Sequence, residues 1–265
     1  MTGIRLSVGS AASRASRSSS AATRAESMRL RFHCQTAAVT LTKAQPMNNI
    51  VRTALQALSA VLGGAQSLHT NGLDEAYAIP SELAMKIALR TQQIIADETR
   101  VTSVVDPLGG SYYVESLTNR VEEEVFAILK KVDALGGTVK AIETGWFQRE
   151  IADSAYEHAR RRASGELPVI GVNKFVEPTE PGAVEVHRVS PDVEARQIAR
   201  LRATRARRDN ARVAALLERL AREAADPATN LMPVTIELVQ ARASMGEIVA
   251  RLREVWGRYV ETPAF

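Results

Sequence analysis

Large apolar and polar residues alternate along Leu30-Arg31-Phe32-His33-Cys34-Gln35-Thr36, the pattern of a strand with one face turned inward. Beyond Pro46 the period lengthens. Ile50, Ala54, Leu55, Leu58, Val61 and Leu62 fall on one helix face, and Gly63-Gly64 stops the helix. Ala65 to Thr70 predicts a second short strand, turned at Asn71-Gly72, and Ser81, directly after Pro80, is placed to cap a second helix that runs to about Asp97. The β-branched run Val101 to Val105 predicts a third strand, ended by Asp106-Pro107 and Gly109-Gly110. A long helix through Leu117, Val121, Val125, Ile128, Leu129 and Val132 follows, closed by Gly136-Gly137.

Strand followed by helix, three times over, with connections long enough for crossovers, predicts parallel βα units and an α/β fold. In such units the polar loops gather at the carboxyl ends of the strands, where His33, Gln35, Ser67, His69, Asn71, Glu75 and Asp106 stand. Side chains alternate along a strand, so His33 and Gln35 share one face, and Ser67 and His69 share one face of the next strand. A single strand-end histidine is ordinarily satisfied by nearby backbone. Two neighbouring strands that each present a polar pair point instead to a binding face. Asn71 and Glu75 read equally as hydrogen-bonding partners for a sugar or amide and as turn and cap residues. Three strands cannot close a barrel, so the chain reads as part of a larger α/β domain.

After about residue 140 the pattern turns mainly helical, with one short apolar run at Val169-Ile170-Gly171-Val172 and a proline-containing loop from Glu177 to Gly182. Residues 192–225 are dense in Arg and Glu at helical spacing, the mark of a solvated, ion-paired face.

Composition narrows the function classes. The chain has 265 residues, 45% of them apolar, which is enough to bury a substantial core. The net charge of +4 is misleading, because Arg5, Arg14, Arg17, Arg24, Arg29 and Arg31 stand against Glu26 alone in the first 31 residues and the rest of the chain is slightly acidic. A nucleic-acid footprint belongs on a folded surface, so nucleic-acid binding is not expected. Residues 1–28 form a Ser/Ala/Arg-rich tail with no hydrophobic period; disorder is expected there, and the composition also fits an organellar transit peptide. No apolar run is long enough for a membrane-spanning helix, and Cys34 is the only cysteine, so a cytoplasmic protein without a disulfide framework is expected. The four histidines and Cys34 show no zinc-ligand spacing, and neither a Gly-rich phosphate loop nor a Gly-x-Ser-x-Gly elbow is present.

Several runs are specific beyond their spacing: Arg31-Phe32-His33-Cys34-Gln35-Thr36-Ala37, Asn48-Asn49-Ile50-Val51-Arg52-Thr53, Gln66-Ser67-Leu68-His69-Thr70-Asn71, Asp74-Glu75-Ala76 and Asp106-Pro107-Leu108-Gly109-Gly110-Ser111-Tyr112. With Gly171-Val172-Asn173-Lys174-Phe175, Met245-Gly246-Glu247-Ile248 and Val255-Trp256-Gly257, they make residues 29–265 resemble the carboxy-terminal part of the methylmalonyl-CoA mutase large subunit. The resemblance implies the last βα units of a (β/α)8 TIM barrel over 29–140, followed by a mainly helical segment over 141–265. It implies that His33, Gln35 and Ser67 lie at the acyl-CoA substrate, and that Gln35, Asn71 and Glu75 hold the adenosyl group of adenosylcobalamin. The cobalamin itself is expected on a separate domain or a cobalamin-binding small subunit. The implied chemistry is radical isomerisation, in which homolysis of the cobalt–carbon bond starts a hydrogen abstraction and the thioester group migrates to the neighbouring carbon.

The family's earlier barrel strands, with a Gly-Tyr-His-type motif, would precede Arg29, where this sequence has only the tail; its Asp-x-His-x-x-Gly cobalt-ligand motif is also absent. A partial large subunit is therefore expected, inactive by itself, partnered by the small subunit and by an amino-terminal barrel half. The alternative expectation is a non-catalytic remnant or assembly protein that keeps the fold segment. Gly145-Trp146-Phe147-Gln148 and the ending Tyr259 to Phe265 are more similar to the two-subunit isobutyryl- and 2-hydroxyisobutyryl-CoA mutases than to fused methylmalonyl-CoA mutases. An open strand edge and uncovered apolar helix faces are expected to make the isolated chain oligomerise or lose solubility.

Overall fold

The computed structural model describes residues 31–178, 184 and 187–260. The tail expected to be disordered, the first residue of the first strand, part of the proline-containing loop and the extreme carboxyl end lie outside the described residues. Packing divides the chain into two compact units, one reaching His187 and the other beginning at Arg188. The position near residue 140 where the pattern is expected to turn from strands and helices to helices alone falls inside the first unit, and among the described residues the last strand ends at His69.

Two parallel strands, β1 (His33–Gln35) and β2 (Ser67–His69), form the sheet, with His33 opposite Ser67, Cys34 opposite Leu68 and Gln35 opposite His69. Bonds beyond the paired residues lengthen the ladder: the Thr36 amide donates to the His69 carbonyl at 3.0 Å and the Gln66 amide to the Phe32 carbonyl at 3.2 Å. The connecting helix α1 (Asn48–Leu62) packs against β2 and against α2 (Glu82–Asp97). Both helices occur where their patterns predict, and Ser81 caps α2 by accepting from the Ala84 amide at 3.2 Å.

What these helices bury differs from a simple apolar stripe. On α1 the buried residues are Asn49, Thr53 and Ala57, and on α2 they are Ala84, Ala88, Thr91 and Ile95. Small residues at i, i+4 spacing let backbones approach closely, and the larger side chains are displaced outward. Val51 and Leu55 on α1, and Leu83, Met85 and Leu89 on α2, are exposed.

The third predicted strand does not form. Val101–Ser103 is a turn of 3₁₀ helix, entered through Arg100 at φ 56°, in the left-handed region. Thr99 ends α2 by donating its hydroxyl to the Ile95 carbonyl at 2.6 Å, and the Arg100 carbonyl is taken by the Ser103 amide at 3.0 Å. β-propensity measures fit to a half-buried pleated surface; here Val105 is 98% exposed and has no such surface. The long helix α3 (Tyr112–Ala134) follows as predicted, capped by Ser111. Beyond it α4 (Thr138–Glu143) and α5 (Trp146–Ala163) pack on one another. Among the described residues the first unit is thus mainly helical around a small parallel sheet.

After α5 the chain folds into a hook over 167–175. Asn173 builds it: its Oδ1 accepts from the Val169 amide at 2.6 Å while its Nδ2 donates to the carbonyls of Arg162 at 2.7 Å and Leu167 at 2.9 Å. The expected apolar run Val169–Val172 therefore becomes a turn with a single bridge from Ile170 to Lys174. The hook is tied to α1 and to the loop before it, because Arg52 Nη2 donates to the Ile170 carbonyl at 2.7 Å and Gln45 Nε2 to that of Phe175 at 2.9 Å.

The second unit carries α6 (Pro191–Arg207), α7 (Asn210–Ala224), α8 (Met232–Gln240) and α9 (Met245–Trp256). Its core is Leu216, Leu220, Val234, Leu238 and Ile248, drawn from the last three helices. The Arg/Glu-rich stretch is helical and largely solvated as its spacing predicts, with ion pairs such as Arg219 to Glu223 and Glu237. One pair is mostly enclosed: the Arg208 guanidinium meets both oxygens of Glu247 at 2.8 and 2.5 Å, with 6% of the arginine side chain exposed. Among the described residues no helix is long and apolar enough to cross a membrane.

Candidate functional site

Strand alternation sorts the sheet into two faces. Cys34 and Leu68 are half-buried on the side turned to the helices, whereas His33, Gln35, Ser67 and His69 are exposed on the other. The side chains read from the sequence as two polar pairs thus do form one open polar face. Pairing across the ladder organises it further: His33 Nδ1 and Ser67 Oγ share a hydrogen bond at 2.7 Å, and Gln35 Nε2 donates to Asn71 Oδ1 at 3.3 Å.

Asn71 follows β2 as a fully buried residue, 2% exposed, rather than as a solvated turn. Its backbone amide donates to Thr36 Oγ1 at 2.9 Å, and the Thr36 hydroxyl donates to its Oδ1 at 3.0 Å. Its Nδ2 has no hydrogen-bond partner. Glu75 is half-buried in the same loop, held through its backbone amide on the Gly72 carbonyl at 3.2 Å, and its carboxylate bonds to none of the other candidates among the described residues. His69 contributes its backbone carbonyl to the ladder, and its imidazole stays on the open face. Asp106 is not brought to this group. It sits in the turn before α3 against Gly109, where an added Cβ would lie 3.0 Å from its Oδ2.

Two loops follow the carboxyl ends of the strands, the second carrying Asn71 and Glu75, and buried side chains join the loops. The Asn49 carboxamide is completely enclosed. Its Nδ2 donates to the carbonyls of Thr42 at 2.9 Å and Leu73 at 2.8 Å, and its Oδ1 accepts from the Thr42 amide at 3.1 Å and from Arg52 Nη1 at 2.8 Å. Both donors and both acceptor positions are filled. Burial lowers the pKa of the Arg52 guanidinium from its ordinary value. In the second loop Asp74, 1% exposed, accepts the Ser81 amide at 2.7 Å through Oδ2 and so fixes the entry to α2. Thr70, also buried, donates Oγ1 to the Ala88 carbonyl at 2.8 Å and accepts from Gln92 Nε2 at 2.9 Å.

Thr36, Asn49, Thr70, Asp74 and Gln92 were not candidates on spacing. Thr36 and Thr70 lie on the opposite strand phase from the polar pairs, and Asn49 sits inside an amphipathic helix. The available signal was the polar and small series Asn49–Thr53–Ala57 at i, i+4, i+8, a helix face suited to close packing rather than to an oily core.

The polar set is two imidazoles, a hydroxyl, two carboxamides and a carboxylate, with no lysine or arginine among them. Such a set suits a neutral ligand rich in hydroxyl and carbonyl groups better than a phosphate, which calls for cations or clustered backbone amides.

Comparison with known proteins supplies the context. A family model described as methylmalonyl-CoA mutase matches residues 13–258. It reaches upstream of Arg29 into the Ser/Ala/Arg-rich run. The 2-hydroxyisobutanoyl-CoA mutase large subunit of Aquincola tertiaricarbonis is 63% identical over 240 residues, covering 91% of this chain and 43% of that protein. Methylmalonyl-CoA mutase of Rhizobium meliloti (strain 1021) is 43% identical over 242 residues, with 91% and 34% covered, and that of Escherichia coli (strain K12) is 40% identical over 237 residues, with 89% and 33% covered. The chain therefore spans between a third and somewhat over two-fifths of the length of these curated relatives.

Proposed function

Because the chain belongs to the methylmalonyl-CoA mutase family, we propose that it acts within an adenosylcobalamin-dependent acyl-CoA mutase, as the part of the large subunit that holds the adenosyl group and one side of the acyl-CoA. The observation that carries this reading is the open polar sheet face next to a buried Asn71 whose Nδ2 lacks a partner. The two strands would be barrel strands whose polar face lines the barrel interior, with α1 and α2 on the outside.

The residues present fit the adenosyl group. Gln35, Asn71 and Glu75 would hold its ribose, because carboxamides and a carboxylate match vicinal hydroxyls that both donate and accept. His33 and Ser67, already joined at 2.7 Å, would face the acyl-CoA. When bound, adenosylcobalamin supplies the radical that starts carbon-skeleton isomerisation. The chain's own part is to bind, to orient and to exclude water, and none of its residues is the sole catalytic group.

A cobalamin-binding small subunit is the expected partner, since two-subunit relatives are named large subunits. Among substrates, 2-hydroxyisobutyryl-CoA is the first to offer, given the higher identity to a mutase of that name. The second reading, a non-catalytic assembly protein, is favoured by the exposed apolar side chains of α1 and α2. The test is a mutase assay of the full chain with a cobalamin-binding small subunit and adenosylcobalamin, offering 2-hydroxyisobutyryl-, isobutyryl- and methylmalonyl-CoA in turn. Turnover of any of them establishes the enzyme reading and identifies the substrate. Soluble protein that is silent in every combination favours the assembly reading.

A further inference from the structure

The geometry points to Thr36 as the residue that sets the polarity of the proposed adenosyl site, acting through Asn71; this rests on the functional reading above and assigns to the site a positioning residue outside its ligand-contacting set. The orientation of a buried carboxamide follows from what its neighbours must donate. A backbone N–H can only donate, so Thr36 Oγ1, 2.9 Å from the Asn71 amide, is its acceptor. The Thr36 hydroxyl proton is then free to be given away, and the Asn71 side chain lies 3.0 Å off. The group that receives it has to be the carbonyl oxygen Oδ1. Gln35 agrees with this order, donating Nε2 to the same oxygen at 3.3 Å.

Two consequences follow for a ligand. Asn71, 2% exposed, is left with a buried Nδ2 as an unused donor without partner, so the ligand is required to bring an acceptor to it. Gln35 is exposed, and its 3.3 Å bond is the longest of the three, so it is the contact a ligand hydroxyl replaces by donating to Oδ1. A pair of vicinal hydroxyls, one donating to Oδ1 and the other accepting from Nδ2, satisfies both ends of the carboxamide at once. A ligand offering only donors, such as an ammonium group, satisfies one end. Thr36 touches no ligand in this scheme. It fixes which end of Asn71 is donor and which acceptor, and it sits on the buried strand phase where the open face does not show it.

The probe is 5′-deoxyadenosine, titrated into the full chain by calorimetry, with thermal melting in parallel. Thr36→Val keeps the side chain's shape but deletes the hydroxyl, so the carboxamide loses its fixed orientation. The expected result is affinity lower by about tenfold or more, the scale of one buried hydrogen bond, with Thr36→Ser restoring most of it. Wild-type affinity in a folded Thr36→Val protein overturns the assignment while leaving the adenosyl-site reading intact. Absence of binding by the wild-type chain overturns that reading and this inference with it. Should Thr36→Val not fold, Asn71→Asp serves, since it keeps an acceptor toward Thr36 and turns the Nδ2 donor into a carboxylate oxygen. Its binding should fall by a similar factor, and unchanged binding refutes the assigned polarity.

Discussion

Replacing Asn49 by alanine should loosen both loops that carry the candidate site. The carboxamide serves three backbone groups, the Thr42 amide, the Thr42 carbonyl and the Leu73 carbonyl, and it is fully enclosed. Arg52 keeps two other acceptors, Thr42 Oγ1 at 3.0 Å and the Ile170 carbonyl at 2.7 Å, so its loss is the smaller one. Each buried backbone group left unpaired costs about 1 to 3 kcal/mol, and a water entering the void restores one or two of the three, which leaves a net loss of roughly 1 to 6 kcal/mol. The upper end is a large share of the roughly 5 to 15 kcal/mol that holds a typical domain together. Because the chain has two compact units, a single global unfolding curve would mix their transitions. Hydrogen exchange read peptide by peptide is the better assay. Asn49→Ala should lose protection in peptides over 36–49 and 69–77, while those over 210–256 keep theirs. Ser59→Ala, which removes only an exposed hydroxyl bonded to the Leu55 carbonyl on the same helix, is the control. If Asn49→Ala exchanges like Ser59→Ala, Asn49 does not brace the loops and the account of the site's support is wrong.

Three further outcomes are expected. Gly72→Ala should cost about 1 to 3 kcal/mol in the first unit, since the new Cβ would stand 2.8 Å from Asp74 Oδ1 and 3.2 Å from the Cβ atoms of Ala84 and Pro80; a urea melt unchanged from wild type would show that the loop has room. Ser81→Ala should destabilise α2 by about 1 kcal/mol through loss of its cap on the Ala84 amide, read by exchange over 82–97. In the second unit, the Arg208 guanidinium, followed by the Ser244 hydroxyl and amide, holds the Glu247 carboxyl well below the usual carboxylate range. A depressed folded-state pKa contributes stability that is complete above the unfolded value of about 4.3 and drains away as pH falls towards the folded value. Glu247→Gln should therefore melt lower at neutral pH, by about 2 to 3 kcal/mol in the second unit, and lose less than wild type between about pH 5 and pH 2; parallel acid titrations of the two proteins would refute the pairing.

How far the sequence could be read follows from what each pattern encodes. Period two reports which strand residues share a face, and it placed His33 with Gln35 and Ser67 with His69 on the face that is open. It carries no information on what stands behind that face, so Thr36 and Thr70 stayed out of sight. Helical period located α1, α2 and α3, but it equates the inward face with the larger apolar side chains. On α1 that equation fails, because the helix meets its neighbours through Asn49, Thr53 and Ala57 while Leu55 faces out. The Val101 to Val105 run shows the limit of propensity: β-branched residues favour a pleated surface only where one is provided, and among the described residues the sheet stops at β1 and β2.

The same distinction explains why the open polar face was legible but its construction was not. The residues of the open face are polar at alternate strand positions, a contrast any periodic reading detects. Residues that hold them are polar inside packed loops, where their neighbours in sequence give no contrast and their partners are distant: Thr36 bonds 35 residues away to Asn71, and Asn49 bonds 24 residues away to Leu73. Such groups are found by asking where each buried donor and acceptor goes. Applied to Asn71, that question closes for the backbone amide and for Oδ1 and stays open at Nδ2. The open end is where a ligand acceptor belongs, and its direction was fixed by a threonine on the strand's hidden phase.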